Sequence, residues 1–345
     1  MPRVTVTVRD TGGQAATATA NYTITPPVLG GYYLSGGADP TADMTGGNFR
    51  SLTQYRSFAD GYVFPGYNRP WLVTLGRAGV QVNMVLELKH YGAPDTGPQT
   101  FTVDGVRYIV PAPAMTIQQR PGTVWPKAYG YSQVLAGQCD GLFARALSQY
   151  RTMGFGVNIQ LASELDTDHE FGTTEAGKQY TWAESDARAV QAMMYIVNWF
   201  RVKALPQGTT FSVGLGGFDR ACYQRTHPEA LMARLDFLQW NVYATNASHT
   251  ALDRFRRTKD WVVADLGPVA LSRPVIIAEW GVRVAEIPDQ AGWIDTVPPA
   301  IARLNAERGP IIERTNYFNS GWGTLTPKAT GLAALRAAYA RPPYA

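Results

Sequence analysis

The sequence predicts an α/β protein: a (β/α)8 barrel preceded by a short β-hairpin. Strand-like and helix-like segments alternate from Tyr32 to the end of the chain. Eight of the strand-like runs can be counted over that stretch. The first of them, "YYLSGGADP", lacks the G-x-G-x-x-G spacing of a doubly wound nucleotide-binding sheet.

Residues 1–28 read apart from the rest. "RVTVTVRDTGGQAATATANYTIT" (3–25) alternates as two strands about a Thr-Gly-Gly turn. It is similar to the closing hairpin of an immunoglobulin-like or polycystic-kidney-type sandwich module, and "PPVLGG" (26–31) reads as a linker. An isolated hairpin is too small to be stable, so it either packs on the next domain or is a remnant of a longer parent. The barrel domain is assigned to residues 29–345.

Within it, "YYLSGG" (32–37) is the first strand and "GGNFRSLTQYRSFA" reads as the helix behind it. "GYVFPG" (61–66) is the second strand, followed by the helical "PWLVTLGRAG", and "VQVNMVLELKH" (80–90) is the third. An excursion follows, in which "QTFTVDGVRYIVP" (99–111) reads as a hairpin turned at Asp104-Gly105. The helical "LAGQCDGLFARALSQYRTMG" leads to the fourth strand, "GVNIQLASE" (156–164), and a long helix near 181–203 to the fifth, "TFSVGLGG" (210–217). "LDFLQWNVYA" (235–244), "PVIIAEWGV" and "PIIERTNYFNS" (310–320) complete the eight, and "TGLAALRAAYA" is the final helix.

Composition excludes several functions. With 45% hydrophobic and 17% charged residues the chain folds around a core. A net charge of +4, without a clustered Lys/Arg stripe, predicts no nucleic-acid partner. No apolar run of membrane-spanning length occurs, so no membrane insertion is expected. The N-terminus lacks the apolar region of a signal peptide. Cys139 and Cys222 stand far apart without metal-ligand companions and read as structural thiols; neither metal nor cofactor is expected.

Barrel active sites sit at the C-terminal ends of the strands. There this sequence carries Asp39; Glu87, His90 and Tyr91; Ser163 and Glu164; Asn241 and Tyr243; Glu279 and Trp280; and Asn316, Phe318, Asn319 and Trp322. The run "RPVIIAEWG" is the most telling, because four apolar residues lead directly into the carboxylate of Glu279. A buried strand ends on a charge where that end opens onto something polar. Carboxylates at the ends of the fourth and seventh strands suit retaining glycoside hydrolysis. That reaction needs one acid and one nucleophile about 5–5.5 Å apart.

Over roughly residues 32–330 the chain resembles the clan A glycoside hydrolases, most closely glycoside hydrolase family 26, best known as β-mannanases. "RPVIIAEWG" matches the family's nucleophile context, "VLAGQCDGLFARAL" its helix before the fourth strand, and "YFNSGW" its aromatic platform. The resemblance implies that Glu279 is the nucleophile, Glu164 the acid/base and Tyr243 the tyrosine that hydrogen-bonds the nucleophile, with Asn241 expected to assist. It puts Trp322 against a sugar ring, while His90 and Trp280 are further candidate substrate contacts. The family's His before the acid is replaced here by Ser163. His169-Glu170 lies beyond the strand, and Glu164 is preferred because it ends the apolar run "VNIQLAS".

Two rivals concern "ELDTDHE". Asp166, Asp168 and Glu170 have the spacing of a chitinase-type D-x-D-x-E, but Thr167 and His169 are not the apolar residues that motif needs between its acids, and Glu279 would be left without a role. The same acids lack the loop glycine of a calcium site. The expected activity is a retaining endo-glycosidase acting on a polysaccharide partner, β-mannan-like or a bacterial surface glycan. The alternative is a carbohydrate-binding or structural barrel without turnover, in a phage tail among other virion tail proteins. Either setting implies an extracellular or virion location.

Overall fold

A computed structural model describes residues 3–9, 15–21, 27–34, 39–57, 70–88, 98–112, 115–119, 123–171, 180–319 and 324–345. Eight parallel strands close into a barrel. In chain order they are β1 (Leu29–Leu34), β2 (Phe49–Ser57), β3 (Gln81–Glu87), β4 (Asn158–Leu161), β5 (Thr210–Val213), β6 (Phe237–Ala244), β7 (Val275–Val282) and β8 (Ile312–Asn319). Closure is made where β8 pairs with β1, from Arg314 opposite Leu29 to Asn319 opposite Leu34. The expected (β/α)8 fold is therefore present.

One strand is not where the sequence placed it. Residues 49–57, expected as helix, form β2 between β1 and β3, and the expected strand at 61–66 lies outside the described residues. The reason lies inside the barrel, which is unusually polar for this fold. Ser51, Thr53, Asn83, Asn158, Gln160, Ser212, Gln239 and Asn316 are all buried. With polar residues on the interior face, β2 shows Phe49 and Leu52 three apart, a helical spacing.

The polar interior is held by its own hydrogen bonds. Asn158 donates to Asn83 (2.5 Å) and to Ser212 (2.8 Å), Asn83 to Gln160 (2.6 Å), and Asn316 to Thr53 (2.7 Å). Its upper members reach the backbone beneath the predicted site. Gln160 donates to the carbonyl of Ala162 (2.9 Å) and Thr53 to that of Ala278 (3.0 Å). Buried amides and hydroxyls joined in this way fix one arrangement of the strands, because any slip would strand polar atoms without partners.

The apolar core lies between barrel and helices. Trp280 packs against Phe255, Trp293 and Tyr317 there. The helix Trp182–Arg201 starts on a reciprocal cap, in which the Thr181 hydroxyl accepts from the Glu184 N–H (3.2 Å) and the Glu184 carboxylate from the Thr181 N–H (2.7 Å). Both cysteines are buried and unbridged. Among the described residues no helix is long and apolar enough to cross a membrane, and no group of His, Cys, Asp and Glu side chains could hold a metal ion.

Outside the barrel, Gln99–Val103 and Val106–Val110 form the expected hairpin, turned by Asp104 and Gly105 at φ 50° and 77°. Met115–Gln119, Thr123–Ala128 and Asp168–Phe171 form a three-stranded antiparallel sheet that the sequence did not suggest. The N-terminal strands Arg3–Arg9 and Ala15–Asn21 pair as an antiparallel hairpin, and Val28 is already buried, its N–H bonded to the carbonyl of Pro343 (2.8 Å).

Candidate active site

Glu279 sits where β7 departs from a regular ladder. Register shifts occur between Trp240 and Asn241 against β7, and between Ile277 and Trp280 against β8. Bulges of this kind re-aim side chains and cluster at barrel rims. Here the kink leaves Glu279 opposite Asn241, and Tyr243 donates a hydrogen bond from its hydroxyl to Glu279 Oε2.

Glu164 is presented differently. β4 ends at Leu161, earlier than the sequence suggested, and Ala162 follows in the left-handed region at φ 59°. A residue with a Cβ is uncommon there, and such strain concentrates at functional sites. The chain stays fastened to β5, since Leu165 N–H bonds Gly214 O (3.0 Å) and Gly214 N–H bonds Leu161 O (2.9 Å). The half-buried Glu164 is met by the Asn241 amide, which donates to its Oε1 at 3.3 Å. Asn241 was expected to assist Glu279 and serves Glu164 instead. Its place in the β6 register nonetheless makes it neighbour to both carboxylates.

Ser163 has a definite partner. Its hydroxyl donates to Oε1 of Glu87, a carboxylate only 1% exposed at the end of β3. Ser163 thus gains a buried acceptor that the sequence gave no reason to couple to it.

Burial pushes the Glu279 carboxyl up to about 8, although the Tyr243 hydroxyl favours its ionised form. The depth of the site, with Glu279 only 4% exposed, is not visible in the sequence.

Trp280 needs correction as a substrate contact. It is fully buried and turned outward among helices, because the strand alternates faces beyond the bulge. His90 and Trp322 lie outside the described residues. The D-x-D-x-E reading also fails. Asp166 takes the backbone N–H groups of Gly216, Phe218 and Asp219, while Asp168 and Glu170 lie on a strand of the separate sheet.

Two aromatic neighbours complete the mouth. Phe318 meets the Tyr243 ring edge-on at 6.0 Å, and Phe218 lies nearly parallel to it at 6.4 Å. Phe318 was visible as a strand-end residue. Phe218 was missed, although "GLGGFD" directly after β5 was the available signal.

No protein-family model matches the chain, and no curated protein matches it by sequence. Solved structures do match. The GH26 β-mannanase BoMan26A of Bacteroides ovatus aligns with a TM-score of 0.56 at 10% identity, over 92% of this chain and 89% of that one. This chain has the fold of such mannanases. The endo-β-1,4-mannanase of Cellulomonas fimi, as a double mutant, gives 0.54 at 15% identity over 92% and 71%. The GH26-CBM35 β-(1,4)-mannanase of Podospora anserina gives 0.53 at 13%, and the 92% of this chain that aligns spans 61% of that longer one.

Proposed function

We propose that the protein is a retaining endo-glycoside hydrolase in which Glu164 is the acid/base and Glu279 the nucleophile. One observation carries the reading. Asn241 hydrogen-bonds Glu164 and stands in register with Glu279, so two carboxylates from β4 and β7 share one neighbour at the barrel mouth. The fold shared with mannanases supports the same reading. The substrate class is a β-mannan-like polysaccharide or a bacterial surface glycan.

In the first step an ionised Glu279 oxygen attacks the anomeric carbon. The glycosidic C–O bond breaks, and Glu164 passes its proton to the departing oxygen. In the second, Glu164 takes a proton from water, whose oxygen attacks the same carbon and frees Glu279. Tyr243 orients the nucleophile, and the Arg254 Nε–H bond to the Tyr243 carbonyl (2.8 Å) holds Tyr243 from behind. No cofactor enters either step.

The test is a hydrolysis screen on mannans, glucans and bacterial surface polysaccharides, followed by proton NMR of the first product formed. Product with the anomeric configuration of the substrate is expected. An inverted product would remove the nucleophile role from Glu279.

A further inference from the structure

Much of the polar backbone of the loop leaving β5 is committed. The Asp166 carboxylate, fully buried, accepts from the N–H groups of Gly216, Phe218 (2.6 Å) and Asp219 (3.2 Å). From the other side Arg257 donates to the carbonyl of Gly217. Burial pushes the Asp166 carboxyl up against the pull of these N–H groups, so the fold maintains a costly group to hold this loop. Gly217 stands at φ 74°, and a Cβ on Gly216 would come within 2.2 Å of the Phe218 ring. Both glycines are therefore needed for the ring to lie where it does.

What the loop presents is one phenyl ring. Phe218 is 49% exposed. It lies 17° from parallel to Tyr243, whose hydroxyl reaches Glu279. A rigid loop that displays an apolar ring beside the nucleophile's partner has an evident occupant. The C–H face of a pyranose is apolar with a positive edge and suits the negative face of an aromatic ring. A ring already fixed loses little freedom when the sugar arrives.

We propose that Phe218 is a stacking platform for a pyranose unit of the glycan next to the unit being cleaved. The proposal rests on the glycosidase reading, but its own failure is separable. The probes are linear hexaoses of β-1,4-mannose, β-1,4-glucose and β-1,3-glucose, together with a bacterial surface polysaccharide. Each is assayed with wild type, Phe218→Ala, Phe218→Leu and Phe218→Trp, and titrated calorimetrically into the Glu279→Gln variant with and without Phe218→Ala.

Leucine keeps the apolar volume over Tyr243 but has no flat face. The platform predicts that Ala and Leu both lower kcat/KM by about 3- to 10-fold, carried by KM, and that Trp restores it. Binding to the Glu279→Gln variant should weaken by a similar factor when Phe218 is removed. A Leu variant equal to wild type beside an impaired Ala variant, or an acidic limb of the pH profile that moves, would make the ring a mere cover for Tyr243. A wild type that cleaves a probe with no loss in Phe218→Ala overturns the platform alone. No cleavage of any probe by the wild type, together with no binding of any probe to the Glu279→Gln variant, overturns both proposals.

Discussion

The two carboxylates are delivered by opposite means. Glu279 belongs to an eight-residue strand, is 4% exposed and is fixed by a bulge and a tyrosine hydroxyl. Glu164 comes after a four-residue strand and a left-handed alanine, is half-buried, and is steadied by an asparagine amide. On the proposed roles the difference follows their chemistry. A nucleophile must be held still against one carbon, whereas an acid/base must reach a leaving oxygen first and a water later. Both rest on the same polar floor, through Thr53 to Ala278 and Gln160 to Ala162.

The largest expected effect is loss of either carboxylate. Glu279→Gln and Glu164→Gln should each lower turnover on a polysaccharide by about a thousandfold or more, with the fold intact by circular dichroism. Residues that act as a unit are non-additive, so the double variant should be little worse than either single one. Full turnover in the Glu164 variant would break the comparison on its weaker side.

That weaker side was also harder to see in the sequence. Glu279 was legible because an apolar run ending in Glu-Trp-Gly has few readings, and Tyr243 came from the resemblance to family 26, which implies a tyrosine bonded to that carboxylate. The Ser163–Glu87 contact was invisible because it joins residues 76 apart across two strands. β2 was misread because the polar interior removes the apolar alternation that marks a strand. Phe218 was hidden by its glycines, which look like loop filler until Asp166 is seen to hold them.

The next effect concerns Ser163. Ser163→Ala leaves the buried Glu87 carboxylate without this donor and loosens the turn that aims Glu164. Turnover on a natural glycan should fall about 10- to 100-fold, but much less on a 2,4-dinitrophenyl glycoside, whose leaving group needs no proton. Equal losses on both substrates would mean a general weakening of the fold, with no bearing on the acid.

A smaller effect is a shift in pH dependence. Burial holds Glu279 at about 8, so kcat/KM should rise with pH through neutrality as the nucleophile ionises. Tyr243→Phe removes a donor to the ionised form, which raises the pKa further and moves the acidic limb to higher pH. A limb that stays put, or moves toward acid, would show that Tyr243 does not serve the carboxylate.

Azide rescue tests the central assignment most directly. With Glu279→Ala, azide should enter the vacated space and attack a 2,4-dinitrophenyl glycoside from the nucleophile's face, giving a glycosyl azide of inverted configuration. With Glu164→Ala, azide should intercept the glycosyl-enzyme and give a product of retained configuration. Proton NMR of the two azides reads both outcomes. Swapped configurations, or rescue of neither variant on a glycoside that the wild type cleaves, would contradict the roles given to Glu164 and Glu279.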